Sequence, residues 1–145
     1  NANGELELLL ILRNNGKWAL PGGFRDKKEG EKLEDAQTGA IREGKEETGL
    51  DFSLLTLTKG YEGIVEDSRN EGTPGEPGSR WIETTAFYAD ATGRDEFNDP
   101  KGGDDARGAQ WTLITPELLD GLHANHGQIV RETLRSQAQE GVFDF

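Results

Sequence analysis

Residues 33–50 carry two helical patterns at once, and together they restrict the chain more than any other stretch. Leu33, Ala36, Ala40 and Gly44 recur at helical spacing and make a narrow face of small side chains. Such a face lets a helix lie close against a sheet. Glu43, Glu46 and Glu47 are separated by steps of three and four, so on a helix they fall within an arc of about 100°. Like charges four residues apart repel by ~0.2–0.5 kcal/mol. A divalent cation reverses the sign of that term, and hard oxygen ligands suit Mg²⁺ or Mn²⁺. Arg42, four residues before Glu46, can hold one carboxylate in place. The plainer reading, a solvated acidic helix face, stands beside this one. Gly49 is the stop signal of the helix.

The segments around this helix read as strands and turns. Glu5 to Arg13 (ELELLLILR) begins in alternation and becomes fully apolar, the pattern of a central strand. Asn14-Asn15-Gly16 is a turn signal. Lys17 to Leu20 is a short second strand ended by Pro21-Gly22-Gly23, where backbone can approach a phosphate closely. Leu54 to Val65 carries strand residues, with Gly60 and Gly63 as points for a bulge or bend. Trp81 to Ala89 and Ala109 to Ile114 are further strands. Thr115-Pro116-Glu117 opens a helix, with Thr as N-cap and Pro at the first helical position. Gly127 to Gln139 is amphipathic, with Ile129, Val130 and Leu134 facing inward. Two long polar loops remain, 66–80 and 90–108. The order of elements predicts an α/β (α+β) fold forming one domain over residues 1–145.

The charge balance narrows the partners. The chain of 145 residues has 16 Lys+Arg against 28 Asp+Glu, a net charge of -12. Such a field repels nucleic acid and anionic membrane. An anionic small molecule needs local cations to bind here, and a divalent metal supplies them. There is no Cys, which excludes disulfide frameworks, thiolate metal sites and Cys nucleophiles. No apolar stretch reaches the ~20 residues that span a bilayer, and no signal peptide is visible. The expectation is a cytoplasmic protein, with a homodimer left open. The sequence contains no Met, so the N-terminus reads as processed, trimmed or incomplete.

With Arg42-Glu43-Gly44-Lys45-Glu46-Glu47-Thr48-Gly49-Leu50 preceded by Gly22-Gly23-Phe24 and Gly30-Glu31, the sequence resembles the Nudix hydrolases. Their box is G-x5-E-x7-R-E-U-x-E-E-x-G-U, with U a bulky apolar residue. Its second half matches from Arg42 to Leu50, except that Gly44 stands at the first bulky position. Counting back from Arg42 puts Lys28 at the first glycine, so extra residues lie on either side of Gly30-Glu31. The early glutamate of the box is then Glu31 or Glu34. The resemblance implies a mixed β-sheet between helices and attack of water on a nucleoside diphosphate linked to a second group. It implies metal ligation by Glu43, Glu46 and Glu47, with Arg42 orienting the carboxylates and Gly23 either ligating through its carbonyl or letting the phosphate approach.

Outside the box, Tyr61 to Asn70, Trp81-Ile82-Glu83-Thr84, Gly103 to Ala106, Trp111 and Leu122 to His126 resemble the mitochondrial-type ADP-ribose pyrophosphatases and the ADP-ribose-sensing domain of a cation channel. This implies hydrolysis of ADP-ribose to AMP and ribose 5-phosphate. The alternatives are a Nudix hydrolase of another nucleotide, including an oxidised nucleoside triphosphate, and a module that binds ADP-ribose without cutting it. An intact Arg-Glu-x-x-Glu-Glu favours catalysis. Arg69 is a partner for phosphate or for Asp67. Tyr61, Trp81 and Trp111 are candidates to stack on adenine, or core residues on strands. Asp104 and Asp105 are candidates for a catalytic or ribose-contacting carboxylate, on a loop read as able to close over a diphosphate, or are only loop and cap residues. His123 and His126 can contact phosphate or ribose, or cap the last helix.

Overall fold

The computed structural model describes residues 5–22, 35–65, 71–73, 82–103 and 106–139. Three strands form one sheet: β1 (Glu7–Leu12), β2 (Trp18–Ala19) and β5 (Gly108–Leu113), in the order β2-β1-β5. A second sheet pairs β3 (Thr58–Val65) with β4 (Ile82–Tyr88). The pairings among these strands are antiparallel. Helix α1 (Ala36–Thr48) packs against β4 and β5, and α3 (His126–Gln139) packs against β3, β4 and the short α2 (Pro116–Asp120). The α+β layering expected from the sequence is present. No helix among the described residues is long and apolar enough to cross a membrane.

Strand β1 is apolar on both faces because both are covered. Leu10 joins Leu119, Leu122 and Val130, with Leu8 packed beside them. Leu9 points the other way, into a cluster with Leu50 and Phe97 that Trp111 also lines. The period-2 alternation of a strand sends neighbouring leucines into two separate cores. Sheet formation thereby places the C-terminal end of α1 against the strand: Leu50, just after the helix, is 6% exposed.

Both ends of α1 are fixed locally. The Asp35 carboxylate accepts the Thr38 N–H at 2.9 Å, and Gly49 takes the left-handed conformation at φ 75°. The Thr38 hydrogen bonds hold the Asp35 carboxyl below its usual range. A bulge breaks the β3–β4 register between Lys59 and Tyr61, at Gly60. A Cβ at Gly60 would stand 2.4 Å from a methyl of Thr133 on α3, so this glycine lets the helix seat on the sheet.

Within the polar segment 90–108, the described residues 90–103 and 106–108 are anchored to the rest of the fold. A 3₁₀ turn at Asp95–Phe97 drives Phe97 into the core at 2% exposure, and the Trp111 Nε1–H donates to the Phe97 carbonyl at 2.7 Å. The Lys101 N–H then bonds the Thr48 carbonyl at 2.8 Å, and the Arg107 N–H bonds the Leu12 carbonyl at 2.9 Å. Gly103 lies so close to α1 that a Cβ there would be 2.7 Å from the Glu46 carbonyl. One buried aromatic and several backbone bonds fasten these residues to the end of α1 and to β1.

Gly44 is explained by its neighbour. A Cβ at this position would come within 2.5–2.6 Å of the Phe52 ring, which follows α1 in a 3₁₀ turn at Phe52–Leu54. The bulk that the Nudix pattern expects on the helix is delivered from the next turn. Gly44→Ala gains ~1 kcal/mol of helix propensity but incurs overpacking of ~1–3 kcal/mol. We expect a net loss of about 1 kcal/mol in urea unfolding, recovered when Phe52→Leu is added.

Candidate functional site

The site is organised around the C-terminal half of α1. Glu47 lies along the continuation of the Ala36–Ala40–Gly44 stripe, on the helix face turned to the protein, and is 6% exposed. Burying a carboxylate costs several kcal/mol unless hydrogen bonds replace its water. One replacement is the Gly22 N–H, which donates to Glu47 Oε1 at 2.6 Å. Gly22 has φ 152°, a conformation that suits glycine. The solvated-face reading therefore fails for Glu47.

Glu43 and Glu46 share a cation. The Arg42 guanidinium reaches Glu43 Oε1 at 2.9 Å and Glu46 Oε2 at 3.3 Å, as its position one turn before Glu46 suggested. Glu43 is partly covered and Glu46 is exposed. Three carboxylates thus project from one helical arc, one oriented by a backbone amide and two by Arg42. Among the described residues no three metal-ligating side chains converge on a single point. The donor set is nonetheless all hard oxygen, the chemistry that suits Mg²⁺ or Mn²⁺.

Other candidates separate. Trp111 is spent on the core and the Phe97 carbonyl. Tyr61 is half-buried on β3, with its hydroxyl 2.9 Å from where a Cβ of Gly63 would stand. His126 Nδ1 accepts the Leu20 N–H at 3.0 Å. The His123 ring lies edge-on to that of His126 at 5.6 Å, and the His123 backbone N–H donates to the Trp18 carbonyl at 2.9 Å. Gly23, Glu31, Glu34, Asp67, Arg69, Trp81, Asp104 and Asp105 lie outside the described residues. Gly22 was legible only as part of a glycine pair, because its partner lies 25 positions along the chain.

A family model described as the NUDIX domain matches residues 1–135. The chain belongs to the Nudix family. Nudix hydrolase 6, as the Caenorhabditis elegans protein is named, is 30% identical over 90% of this chain. The chain spans about half of that relative's length, 49%. Among solved structures, a C. elegans Ap4A hydrolase in a binary complex matches with TM-score 0.69 at 20% identity, over 94% of this chain and 90% of that one. The NUDIX domain of Shewanella oneidensis NrtR, solved with ADP ribose, gives 0.64 at 18% identity, over 92% and 79%. A MutT/nudix family protein from Enterococcus faecalis gives 0.65 at 22%, over 96% and 58%. These structural likenesses establish the Nudix fold.

Burial lowers the His126 pKa from 6.5 to about 4, helped by the positive charges of His123 and Arg13. Its folded value lies below its unfolded value, so this contribution to stability is complete above pH 6.5. It is lost as pH falls toward 4, where the unfolded chain takes up a proton that the folded chain refuses. The shift corresponds to about 3 kcal/mol. Denaturant titrations should therefore show the stability of wild type falling relative to that of His126→Asn between pH 7 and 4.5. A difference independent of pH would place the histidine's charge outside the folding equilibrium.

Proposed function

We propose that this Nudix protein hydrolyses the diphosphate bond of ADP-ribose, giving AMP and ribose 5-phosphate. The observation that carries the hydrolytic reading is the buried Glu47 carboxylate, fastened to Gly22 and accompanied on its helix by Glu43 and Glu46. A carboxylate kept in the protein interior at such desolvation cost suits a working site better than a surface ornament. The choice of ADP-ribose rests on the likeness of the residues outside the box to ADP-ribose pyrophosphatases. The NrtR domain, solved with ADP ribose, agrees with that choice.

Glu43, Glu46 and Glu47, with the Gly23 carbonyl, would hold Mg²⁺ or Mn²⁺. A cation there would screen the diphosphate oxygens and acidify the attacking water. Arg42 keeps Glu43 and Glu46 in fixed orientation and offsets part of their mutual repulsion. The Pro21–Gly22–Gly23 turn has no bulky side chain after the proline, so phosphate can approach the backbone. Water adds to one phosphorus, the bridging P–O bond breaks, and the departing phosphate becomes the monoester of AMP or ribose 5-phosphate. Tyr61, Trp81, Asp67 and Arg69 are the proposed contacts for adenine, ribose and phosphate.

Substrate identity is tested by a panel of ADP-ribose, ADP-sugars, Ap4A and oxidised nucleoside triphosphates with Mg²⁺, read by products. AMP plus ribose 5-phosphate at the highest kcat/KM is the expected result. Preference for Ap4A or a triphosphate would overturn the assignment while leaving the Nudix chemistry standing. Binding of ADP-ribose without turnover would make the chain a sensor. Excess EDTA should abolish activity, and Glu47→Gln should lower kcat by orders of magnitude in a folded protein.

The water-activating carboxylate comes from the box or from the 103–106 segment. Loss of a general base typically lowers the rate ~10²–10⁴-fold. We favour Glu43 or Glu46, which lie beside the proposed cation. Asp104→Asn and Asp105→Asn should then leave kcat near wild type, with KM raised if either contacts ribose. A fall in kcat at constant KM would assign the base to that aspartate.

A further inference from the structure

Strand β2 is two residues long, yet it leads directly into the turn that holds Glu47. On its inner side Ala19 pairs with Ile11, and the Lys17 carbonyl accepts the Arg13 N–H at 2.9 Å. Backbone polar groups alternate in direction along a strand. The Trp18 carbonyl and Leu20 N–H therefore face away from β1, along the outer edge. Among the described residues neither meets another strand. The Trp18 carbonyl accepts the His123 N–H at 2.9 Å, and the Leu20 N–H donates to His126 Nδ1 at 3.0 Å.

The segment supplying both partners is built for this. His126 N–H bonds the His123 carbonyl at 3.1 Å, closing a turn. Within the turn Ala124 has φ 49°, a left-handed conformation that is costly for a residue with a Cβ. Gly127 follows, so close to α2 that a Cβ would stand 2.1 Å from the Leu119 carbonyl. Together these features fix the start of α3 and aim the imidazole at the edge of β2. Accepting from an amide requires the lone pair on Nδ1, so the ring is neutral with its proton on Nε2.

We propose that His126 is a positioning residue for Glu47, the buried carboxylate of the proposed metal site. Its Nδ1 stands in for a missing neighbour strand at Leu20, and that bond sets the Pro21–Gly22 turn whose amide holds Glu47. The chain of contacts runs from α3 through three consecutive residues, Leu20, Pro21 and Gly22, to α1. This role rests on the proposed hydrolytic reading of the Glu47 site, and it gives His126 a function other than touching substrate.

The test compares His126→Ala, which removes the acceptor, with His126→Asn, whose Oδ1 can occupy the place of Nδ1. His126→Gln carries its acceptor one bond too far. Two readouts are taken: the Gly22 amide proton shift in labelled protein, and kcat with the Mg²⁺ half-saturation for ADP-ribose. The short bond to a carboxylate should place the Gly22 amide far downfield. His126→Ala and His126→Gln should both lose that shift and lose about 10–100-fold in activity or metal affinity, as orienting partners do. His126→Asn should recover most of both. Glu47→Gln with His126 intact should also move the Gly22 shift, tying it to the carboxylate. An unmoved shift in His126→Gln overturns the proposal, and so does a raised KM with unchanged kcat in all three variants, the signature of a substrate contact. If His126→Ala does not fold, the Asn–Gln pair still decides. If wild type does not cleave ADP-ribose, the hydrolytic reading fails, and the amide shift still judges the His126 contact.

Discussion

A carboxylate in the protein interior needs a donor, and the Gly22 amide provides one to Glu47 at 2.6 Å. Much of the surrounding architecture serves to bring those two groups together. The small-residue stripe Ala36–Ala40–Gly44 lets α1 sit low enough for Glu47 to be covered. The glycine at position 22 allows the chain to turn its N–H toward the helix. The edge of β2 is held on both sides so that the turn has a fixed origin. In a chain of net charge -12, such local control of direction decides which carboxylates work together and which only repel.

Helix α1 is locked at its C-terminal end by contacts from three directions. Phe52 fills the space left by Gly44, Leu50 and Phe97 meet on β1, and Lys101 caps the Thr48 carbonyl. The Thr48 hydroxyl also donates to the Gly44 carbonyl at 2.6 Å inside the helix. A helix so constrained presents its glutamates at fixed angles. Positions 43, 46 and 47 are therefore set by core packing as much as by helical period.

Local signals were readable in the sequence, and distant pairings were not. Gly49 as helix stop, Thr115 as N-cap and Gly60 as the bulge each act through their own backbone, so residue type alone announces them. The apolar run at Leu8–Leu12 required burial on both faces, whatever covered it. Among the site residues, the spacing of Arg42 and Glu46 was legible because both stand on one helix. The burial of Glu47 was not, because helical spacing does not say which arc meets the protein. Phe97 is the one aromatic in the polar sequence 90–108, and only the Trp111 bond and the Leu9–Leu50 cluster reveal it as an anchor. His126 offered either a ligand contact or a cap; its bond to Leu20 spans 106 positions.

The brevity of β2 has a further consequence. Two paired residues have little cooperative resistance to opening, so this edge belongs to the least stable part of the three-stranded sheet. Separating it from β1 and from the start of α3 would release the glycine turn while Leu10, Ile129 and Phe97 stayed packed. The protein could then lose the organisation of its acidic cluster without unfolding. Amide protons at the end of β2 would exchange with solvent at a lower free energy than those of β1. Thermal inactivation would begin below the temperature at which the core melts, and a ligand that spans the glycine turn and α1 would raise the first temperature more than the second.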